Sequence, residues 1–172
     1  MEKLSDNLIE KRKKQKAPSD YPKRDELAKF KESGSYPLHK STAPGIVNMD
    51  VLGDQYVITG GKDGQAVLFD AESEQIVTKF SPYGEANPLT LTSFLPGQAP
   101  EQQGSLVMLG TSHKNGQLGL WNIQEQKSLY EVKCHSATIS DISFQALNEF
   151  VAVGSRDGSW SFHNILEGKK LG

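Results

Sequence analysis

The chain of 172 residues lacks the features that mark several large classes of protein. It has one cysteine, Cys134, which excludes an intrachain disulfide framework and a zinc site built from several cysteines. No apolar run approaches the roughly 20 residues that a membrane-spanning helix needs. The first residues, MEKLSDNLIEKRKK, lack the apolar core of a secretory signal, and no Asn-x-Ser/Thr acceptor occurs. These absences predict a soluble intracellular protein.

The charge balance and the absence of ligand-binding motifs narrow the function further. A net charge of −2 and a pI near 6.1 do not favour a general nucleic-acid-binding protein. The stretch GGKDG at 60–64 lacks the spacing of a phosphate-binding loop. The four histidines fall in different segments, so they do not form a metal-binding cluster: His39, His113, His135 and His163. We therefore expect no cofactor and no metal ion.

Residues 1–37 differ in composition from residues 38–172 and are predicted to be a linker extension. They are rich in Lys, Glu, Asp and Pro. Two short helices are predicted here: the tail of a longer helix with Leu4, Leu8 and Ile9 on one face, and a helix over Asp25–Lys31 whose Leu27 and Phe30 would contact a neighbour.

A basic run, KRKKQK, lies within this extension. Its candidate nuclear-import residues are Lys11, Arg12, Lys13 and Lys14. One interpretation is a nuclear-import signal or a nucleic-acid contact. The other is a solvated charged segment, which the sequence alone favours.

After residue 38 the sequence has short alternating runs typical of β-strands, and it repeats. The segments KDGQAVLFD (62–70), KNGQLGLWN (114–122) and RDGSWSFHN (156–164) superimpose. Their turn residues Asp63, Asn115 and Asp157 are 52 and 42 residues apart, and the shorter spacing is that of a four-stranded propeller blade. The longer interval contains Pro96–Gly104, which has no large apolar residue and is predicted to be a surface insertion.

The repeat predicts an all-β, WD40-type β-propeller region of about three blades, over residues 38–80, 81–133 and 134–172. The Asp-Gly and Asn-Gly pairs predict type I′ hairpins, since such turns need positive φ at both central residues. Closed propellers have at least four blades, so we expect a fragment whose end blades expose apolar faces.

The stretch VGSRDGSWSFHN (153–164) raises the question of a hydrolase triad made of Ser155, Asp157 and the upstream His135. In a WD-type blade, a His before the first strand, a Ser or Thr in the second, an Asp in the turn and a Trp in the third form a buried hydrogen-bonded set. His135, Ser155 and Asp157 would fill the first three positions, with His163 at the Trp position. No nucleophile elbow surrounds Ser155, so we predict a structural set and no catalytic residue.

The same set is incomplete in the other two blades. The first blade has His39 and Asp63, with Phe69 at the Trp position. The second has Asn115 and Trp121, with Tyr83-Gly84 where Gly-His is usual. These departures predict a diverged propeller with individually weak blades.

Two stretches, RDELAKFKESGSYPLHKSTAPGIVNMDV and ITGGKDGQAVLFDAESEQI, resemble the start of the WD-repeat region of the pre-mRNA-processing factor nineteen family. The specific points are Leu38-His39, Pro44-Gly45-Ile46, Thr59-Gly60-Gly61 and Ser73-Glu74-Gln75-Ile76. The stretch SRDGSWSFHNILEGK resembles the third blade of that family. KRKKQK matches the place where the family's coiled coil gives way to the propeller.

The resemblance implies a nuclear scaffold in pre-mRNA splicing and spliceosome activation. Family members are ubiquitin ligases with a U-box, a tetramer-forming coiled coil and a seven-bladed propeller that docks substrates and splicing partners. This chain matches no U-box and three of seven blades, so neither ligase activity nor tetramerisation is expected of these residues. The partners expected are spliceosomal proteins and ubiquitination substrates. A weak contact with RNA is an open alternative, and no membrane association is expected. An alternative is a WD-repeat adaptor of another intracellular complex without a splicing role.

Three cations precede the turn residues at equivalent points of the repeat: Lys62, Lys114 and Arg156. Because the turns between second and third strands all emerge on one side of a propeller, these cations should form an arc on that rim. They are either solvated turn charges, which the frequency of exposed Lys and Arg favours, or a contact for an acidic partner segment or RNA phosphate.

Overall fold

A computed structural model describes residues 23–29, 31–32, 34–40, 45–101, 106–112, 116–145, 150–165 and 167–172. The chain divides into two units, Met1–Tyr36 and Pro37–Gly172. The predicted helix at Leu4–Ile9, the residue Phe30 and the basic run with Lys11, Arg12, Lys13 and Lys14 lie outside the described residues.

Among the described residues of the first unit, Arg24–Leu27 form a short helix, α1. The Glu26 carboxylate accepts a hydrogen bond from the Lys23 backbone N–H at 2.8 Å, which caps the first turn. The helix is shorter than the expected Asp25–Lys31, and Leu27 is 49% exposed instead of packed on a neighbour. A helix of four residues has little cooperativity of its own, and this one buries no residue that would extend it.

The second unit consists of antiparallel strands that pair in chain order. Three four-stranded sheets result, which confirms the predicted all-β fold of three blades. The first blade contains β1 (Ile46–Leu52), β2 (Tyr56–Gly61), β3 (Ala66–Asp70) and β4 (Gln75–Phe80). The second contains β5 (Leu89–Phe94), β6 (Val107–Ser112), β7 (Gln117–Asn122) and β8 (Lys127–Lys133). The third contains β9 (Ile139–Phe144), β10 (Phe150–Ser155), β11 (Trp160–Asn164) and β12 (Lys169–Lys170).

In the first and third blades, whose turns between second and third strands the structure describes, these turns are not of the predicted type I′. Gly64 N–H donates to Gly61 O at 3.2 Å, and Gly61 N–H donates to Gln65 O at 3.0 Å. Only Gly64 has positive φ, at 74°, because the Asp63 carboxylate accepts from Gln65 N–H and holds Asp63 in an ordinary conformation. This is a three-residue loop with a glycine bulge, and the third blade repeats it at 155–159.

The turn glycines also touch the loop that leads into the next blade. A Cβ on Gly64 would lie 2.8 Å from Gly84 O, and one on Gly116 would lie 2.5 Å from His135 O. On Gly158, a Cβ would meet no heavy atom within 4 Å. The first two turns are therefore closed against backbone that follows them in the chain.

The turns between third and fourth strands share another pattern. Asp70 and Asn122 each accept backbone N–H bonds at 2.9 Å from residues two or three further on, and Asn164 does so at 3.0 Å. The residue four positions after each of these has positive φ: Glu74 at 55°, Gln126 at 54° and Gly168 at 63°. Two of the three blades therefore place a non-glycine residue in a left-handed conformation.

The two interfaces between blades differ in polarity. Asn48 of β1 donates to Thr92 O at 2.7 Å and accepts from Thr92 N–H at 2.7 Å, so side chain and backbone join the first blade to the second. Asn48 follows a break in the pairing register of β1, and Leu91 follows the same break in β5. Leu91 packs in the apolar cluster between the second and third blades. The first interface is thus fixed by hydrogen bonds as well as by apolar burial.

The insertion after β5 is tied down at its start. The Gln98 amide donates to Leu95 O at 2.8 Å and Val107 O at 2.7 Å, and it accepts from Val107 N–H at 2.5 Å. Pro100 lies over the β1–β2 turn, since a Cβ on Gly53 would be 3.0 Å from it. This part of the predicted surface insertion is half-buried and contacts the first blade.

Candidate functional site

The first blade contains a buried set of hydrogen bonds around His39. Its Nδ1 donates to Asp63 Oδ1 at 2.9 Å, and its Nε2 lies 2.9 Å from Thr59 Oγ1. The Asp63 carboxylate also accepts from the Lys40 backbone N–H at 3.0 Å. Burial alone would raise the pKa of Asp63, but these hydrogen bonds outweigh it and lower the pKa. The set ties the loop before β1 to β2 and its turn.

The third blade contains a corresponding set around His135. Its Nδ1 lies 3.0 Å from Ser159 Oγ and 3.3 Å from Asp157 Oδ2. The hydrogen bond that Ser159 Oγ donates at 2.6 Å, with others from backbone N–H groups, holds the pKa of Asp157 well below its usual range. On the other side of the ring, Nε2 lies 2.8 Å from Ser161 Oγ, which in turn lies 2.8 Å from His163 Nε2.

Ser155 does not belong to this set, contrary to the prediction. Its hydroxyl donates to Ala137 O at 3.3 Å and to Thr138 O at 3.2 Å, which fastens the turn to the start of β9. The position four residues before the turn Asp is Thr59 in the first blade and Val153 in the third, so β10 has no hydroxyl to offer there. Ser161 of β11 replaces it. Ser161 lies opposite Val153 in the hairpin, so counting residues on both sides of the turn in the sequence would have identified it.

The second blade fills the same space with two aromatic rings. Trp121 and Tyr83 make an edge-on contact with ring centroids 5.7 Å apart, and Tyr83 Oη donates to Gly110 O at 2.8 Å. Burial raises the pKa of Tyr83, so the phenol stays neutral. Tyr83 therefore takes the place of the missing His. Asn115 lies outside the described residues.

The Ser161–His163 pair has the atoms of a nucleophile and a base, but it is closed to substrate. Both residues are 0% exposed. Burial lowers the pKa of His163 to about 4, so the imidazole is neutral at physiological pH. Its Nδ1 has no hydrogen-bond partner in the part of the chain that the structure describes. The geometry serves packing, and no group of three or more metal-ligating side chains occurs among the described residues.

Two of the three cations expected on the rim line one cavity. Lys62 and Arg156 both border a cavity of about 440 Å³ where the starts of β1, β5 and β9 meet. Lys114 lies outside the described residues. The loop between the second and third strands is one residue longer in the second blade than in the first. The strand pairing shows this, because five residues separate the paired Gly60 and Ala66 and six separate the paired Thr111 and Leu118.

The family comparison agrees with this geometry. Residues 126–164 match the WD40 family, described as "WD domain, G-beta repeat". These residues are a WD40 repeat. The fold is similar to that of the crystal structure of the computationally designed Ika4 protein, which aligns with a TM-score of 0.62 at 21% identity over 83% of this chain and 78% of that one.

This chain is similar to proteins named Pre-mRNA-processing factor 19. It is 32% identical over 168 residues to Pre-mRNA-processing factor 19 homolog 2 of Arabidopsis thaliana, covering 95% of this chain and 30% of that protein. It is 29% identical to Pre-mRNA-processing factor 19 of Oryza sativa subsp. japonica, covering 93% and 29%, and 26% identical to that of Bos taurus, covering 99% and 34%. The resemblance read from the sequence is confirmed. The chain spans about a third of the length of these relatives.

Within the described residues, no helix has the length and hydropathy of a membrane span.

Proposed function

We propose that this WD40 region is a partner-binding scaffold of a nuclear complex that acts in pre-mRNA splicing. The observation that carries the proposal is the similarity to proteins named Pre-mRNA-processing factor 19, which extends over 93% to 99% of the chain. It includes the extension as well as the blades, whereas a generic WD40 match would cover the blades alone.

The chemistry of the buried sets supports a scaffold over an enzyme. The His39 and His135 rings hold loops against strands, and the Ser161–His163 pair is sealed from solvent. The exposed Ser159 hydroxyl donates to Asp157 at 2.6 Å and lies 3.0 Å from His135 Nδ1, so it is held within the turn by the same structural set. Surfaces of this kind bind other macromolecules through shape and charge.

We further propose that the propeller presents substrates within a ubiquitin ligase of the same family, in homotetrameric form, and that Lys11, Arg12, Lys13 and Lys14 direct it to the nucleus. These proposals rest on the resemblance. The alternative is a WD-repeat adaptor of another complex without a splicing role, because the WD40 fold itself serves many assemblies.

Affinity purification of the intact protein from its source cells tests the proposal. We expect spliceosomal proteins to co-purify, and depletion to cause intron retention that the intact protein rescues. Co-purification of an unrelated complex with unchanged splicing would favour the adaptor. Changing the four basic residues to Ser should move the protein to the cytoplasm, and reconstituted ubiquitin transfer by the intact protein tests the ligase assignment.

A further inference from the structure

The cavity between the three blades carries charge that the fold does not use. This inference deepens the proposed scaffold function by naming a site and a class of partner. Lys62 and Arg156 stand on its border, and neither forms an ion pair with a carboxylate of the described residues. By contrast, exposed Lys40 pairs with Glu85 at 2.8 Å.

The backbone fixes where the two cations emerge. Lys62 N–H donates to Gly45 O at 3.0 Å, and Arg156 N–H donates to Thr138 O at 3.0 Å. The backbone of each cation is thereby bonded to the residue that immediately precedes the first strand of its blade. The Lys62 stem also packs over Gly45, since a Cβ there would lie 3.3 Å from Lys62 Cδ. Both side chains start at the cavity edge, and no carboxylate of the described residues pairs with either of them.

The rest of the lining is apolar or already hydrogen-bonded. Val47, Leu89 and Ile139 supply apolar surface. The Thr90 hydroxyl lies 2.6 Å from Thr111 Oγ1, and the Ser140 hydroxyl donates to Gly154 O at 3.2 Å. A ligand would therefore meet an apolar floor with two cations beside it, and no acidic side chain borders this cavity among the described residues.

We propose that this cavity binds an extended acidic protein segment, with an apolar side chain on the floor and flanking carboxylates on Lys62 and Arg156. A carboxylate pairs with guanidinium and ammonium groups through charge-assisted hydrogen bonds. Single-stranded RNA fits less well, because its bases need aromatic stacking surfaces and no aromatic residue lines this cavity in the described part of the chain.

The test uses the intact protein and a fluorescein-labelled peptide of sequence Gly-Glu-Glu-Leu-Glu-Asp-Leu-Glu-Glu-Gly. The variant Lys62→Ser/Arg156→Ser is compared with Lys127→Ser/Lys169→Ser. The control removes the same charge from exposed lysines at the opposite end of the blades. A Gln/Asn version of the peptide and an oligouridylate of similar length are the competing probes. Fluorescence anisotropy is measured over salt from about 50 to 300 mM, and thermal melting verifies that each variant folds.

We expect the cavity variant to bind the acidic peptide about tenfold or more weakly and with less salt dependence, while the control binds as the parent does. The Gln/Asn peptide should bind as weakly to the parent as the acidic peptide binds to the variant. Val47→Glu, at an exposed position of the floor, should weaken binding too.

Equal peptide binding by a normally folded cavity variant would overturn the proposal. The proposal would also be overturned if the parent bound the oligouridylate more tightly than the acidic peptide and the cavity variant lost that binding. This result would identify an RNA contact. These outcomes are separate from those of the scaffold experiment. A cavity variant that still co-purifies with splicing proteins leaves the scaffold function standing, and peptide binding without such co-purification leaves the cavity standing.

Discussion

The first and third blades solve one problem with the same residue types in different places. In the first, Thr59 of β2 supplies the hydroxyl for His39 and pairs across the sheet with Val67. In the third, Ser161 of β11 supplies it for His135 and pairs with Val153. Hydroxyl and valine have exchanged sides of one cross-strand pair. The fold therefore requires a hydroxyl at a point in space and does not require it on a given strand.

Gly61 and Ser155 occupy equivalent positions, and their substitution should give the largest contrast. A Cβ on Gly61 would overlap both His39 Nδ1 and Asp63 Oδ1. We expect Gly61→Ala to destabilise the protein by about 2–4 kcal/mol, because it breaks the buried set. Ser155→Ala loses the half-exposed hydroxyl bonds to two carbonyl groups and the bond from Asp157 N–H, at about 1 kcal/mol. Denaturant unfolding of both variants checks this, and equal losses would contradict the difference between the blades.

Rebuilding the first-blade arrangement in the third blade sharpens the comparison. Ser161→Val alone leaves His135 and His163 without their shared hydroxyl, at about 1–3 kcal/mol. The triple variant Val153→Thr/Ser161→Val/His163→Phe copies Thr59, Val67 and Phe69, and should recover most of that loss. A triple variant no more stable than Ser161→Val by chemical denaturation would show that the two sets are not interchangeable.

The histidine at the Trp position should make stability depend on pH. The pKa of His163 is about 4 in the folded protein, below the unfolded value of about 6.5. The unfolded state thus binds more protons between these values, so stability is lost as pH falls from about 6.5 to about 4, by roughly 1–3 kcal/mol. Thermal melting across this range should show a slope that His163→Phe flattens. If the His163→Phe variant keeps the same dependence of melting temperature on pH, the dependence comes from another titratable group and the prediction is wrong.

The smallest expected effect lies in the turns before the fourth strands. Glu74 has a φ of 55°, whereas the third blade has Gly168 at the same place. Glu74→Gly should therefore stabilise the first blade or leave it unchanged, within about 1 kcal/mol, since glycine relieves the left-handed strain but adds unfolded-state entropy. Gly168→Glu is the reverse test and should cost stability. Loss of stability in both variants would contradict the strain argument.

The sequence predicted the blades well because their signals are local. The spacing of Asp63 and Asp157 from the rings at Phe69 and His163 is repeated within nine-residue segments that contain the turn and the third strand of each hairpin. It failed where partners are far apart in the chain. The WD-type pattern of a Ser or Thr in the second strand predicts Ser155 as the hydroxyl partner of His135, whereas the structure has Ser161, which pairs across the sheet with Val153. The type I′ prediction failed because the Asp side chain binds the backbone two residues on.

Neither the cavity nor the polar first interface could be read from the repeat. Both depend on side chains from separate blades, such as Asn48 with Thr92, about 44 residues apart. The repeat gave Lys62 and Arg156 as equivalent points but not the apolar floor between them. Helix α1 was overestimated because Leu27 gains no burial that would extend the helix.

The closure of the Gly64 and Gly116 turns against later backbone has a consequence for synthesis on the ribosome. The Gly64 turn is complete only when Gly84 and Glu85 have emerged, and the Gly116 turn only when His135 and Ala137 have. At about 5–20 residues per second, each nascent blade waits one to a few seconds for the roughly 20 residues that seal it. During that time the turn backbone of the blade is uncovered. Neighbouring chains on one messenger would therefore avoid contact between their uncovered turns only if their blades were kept apart until the next segment emerged.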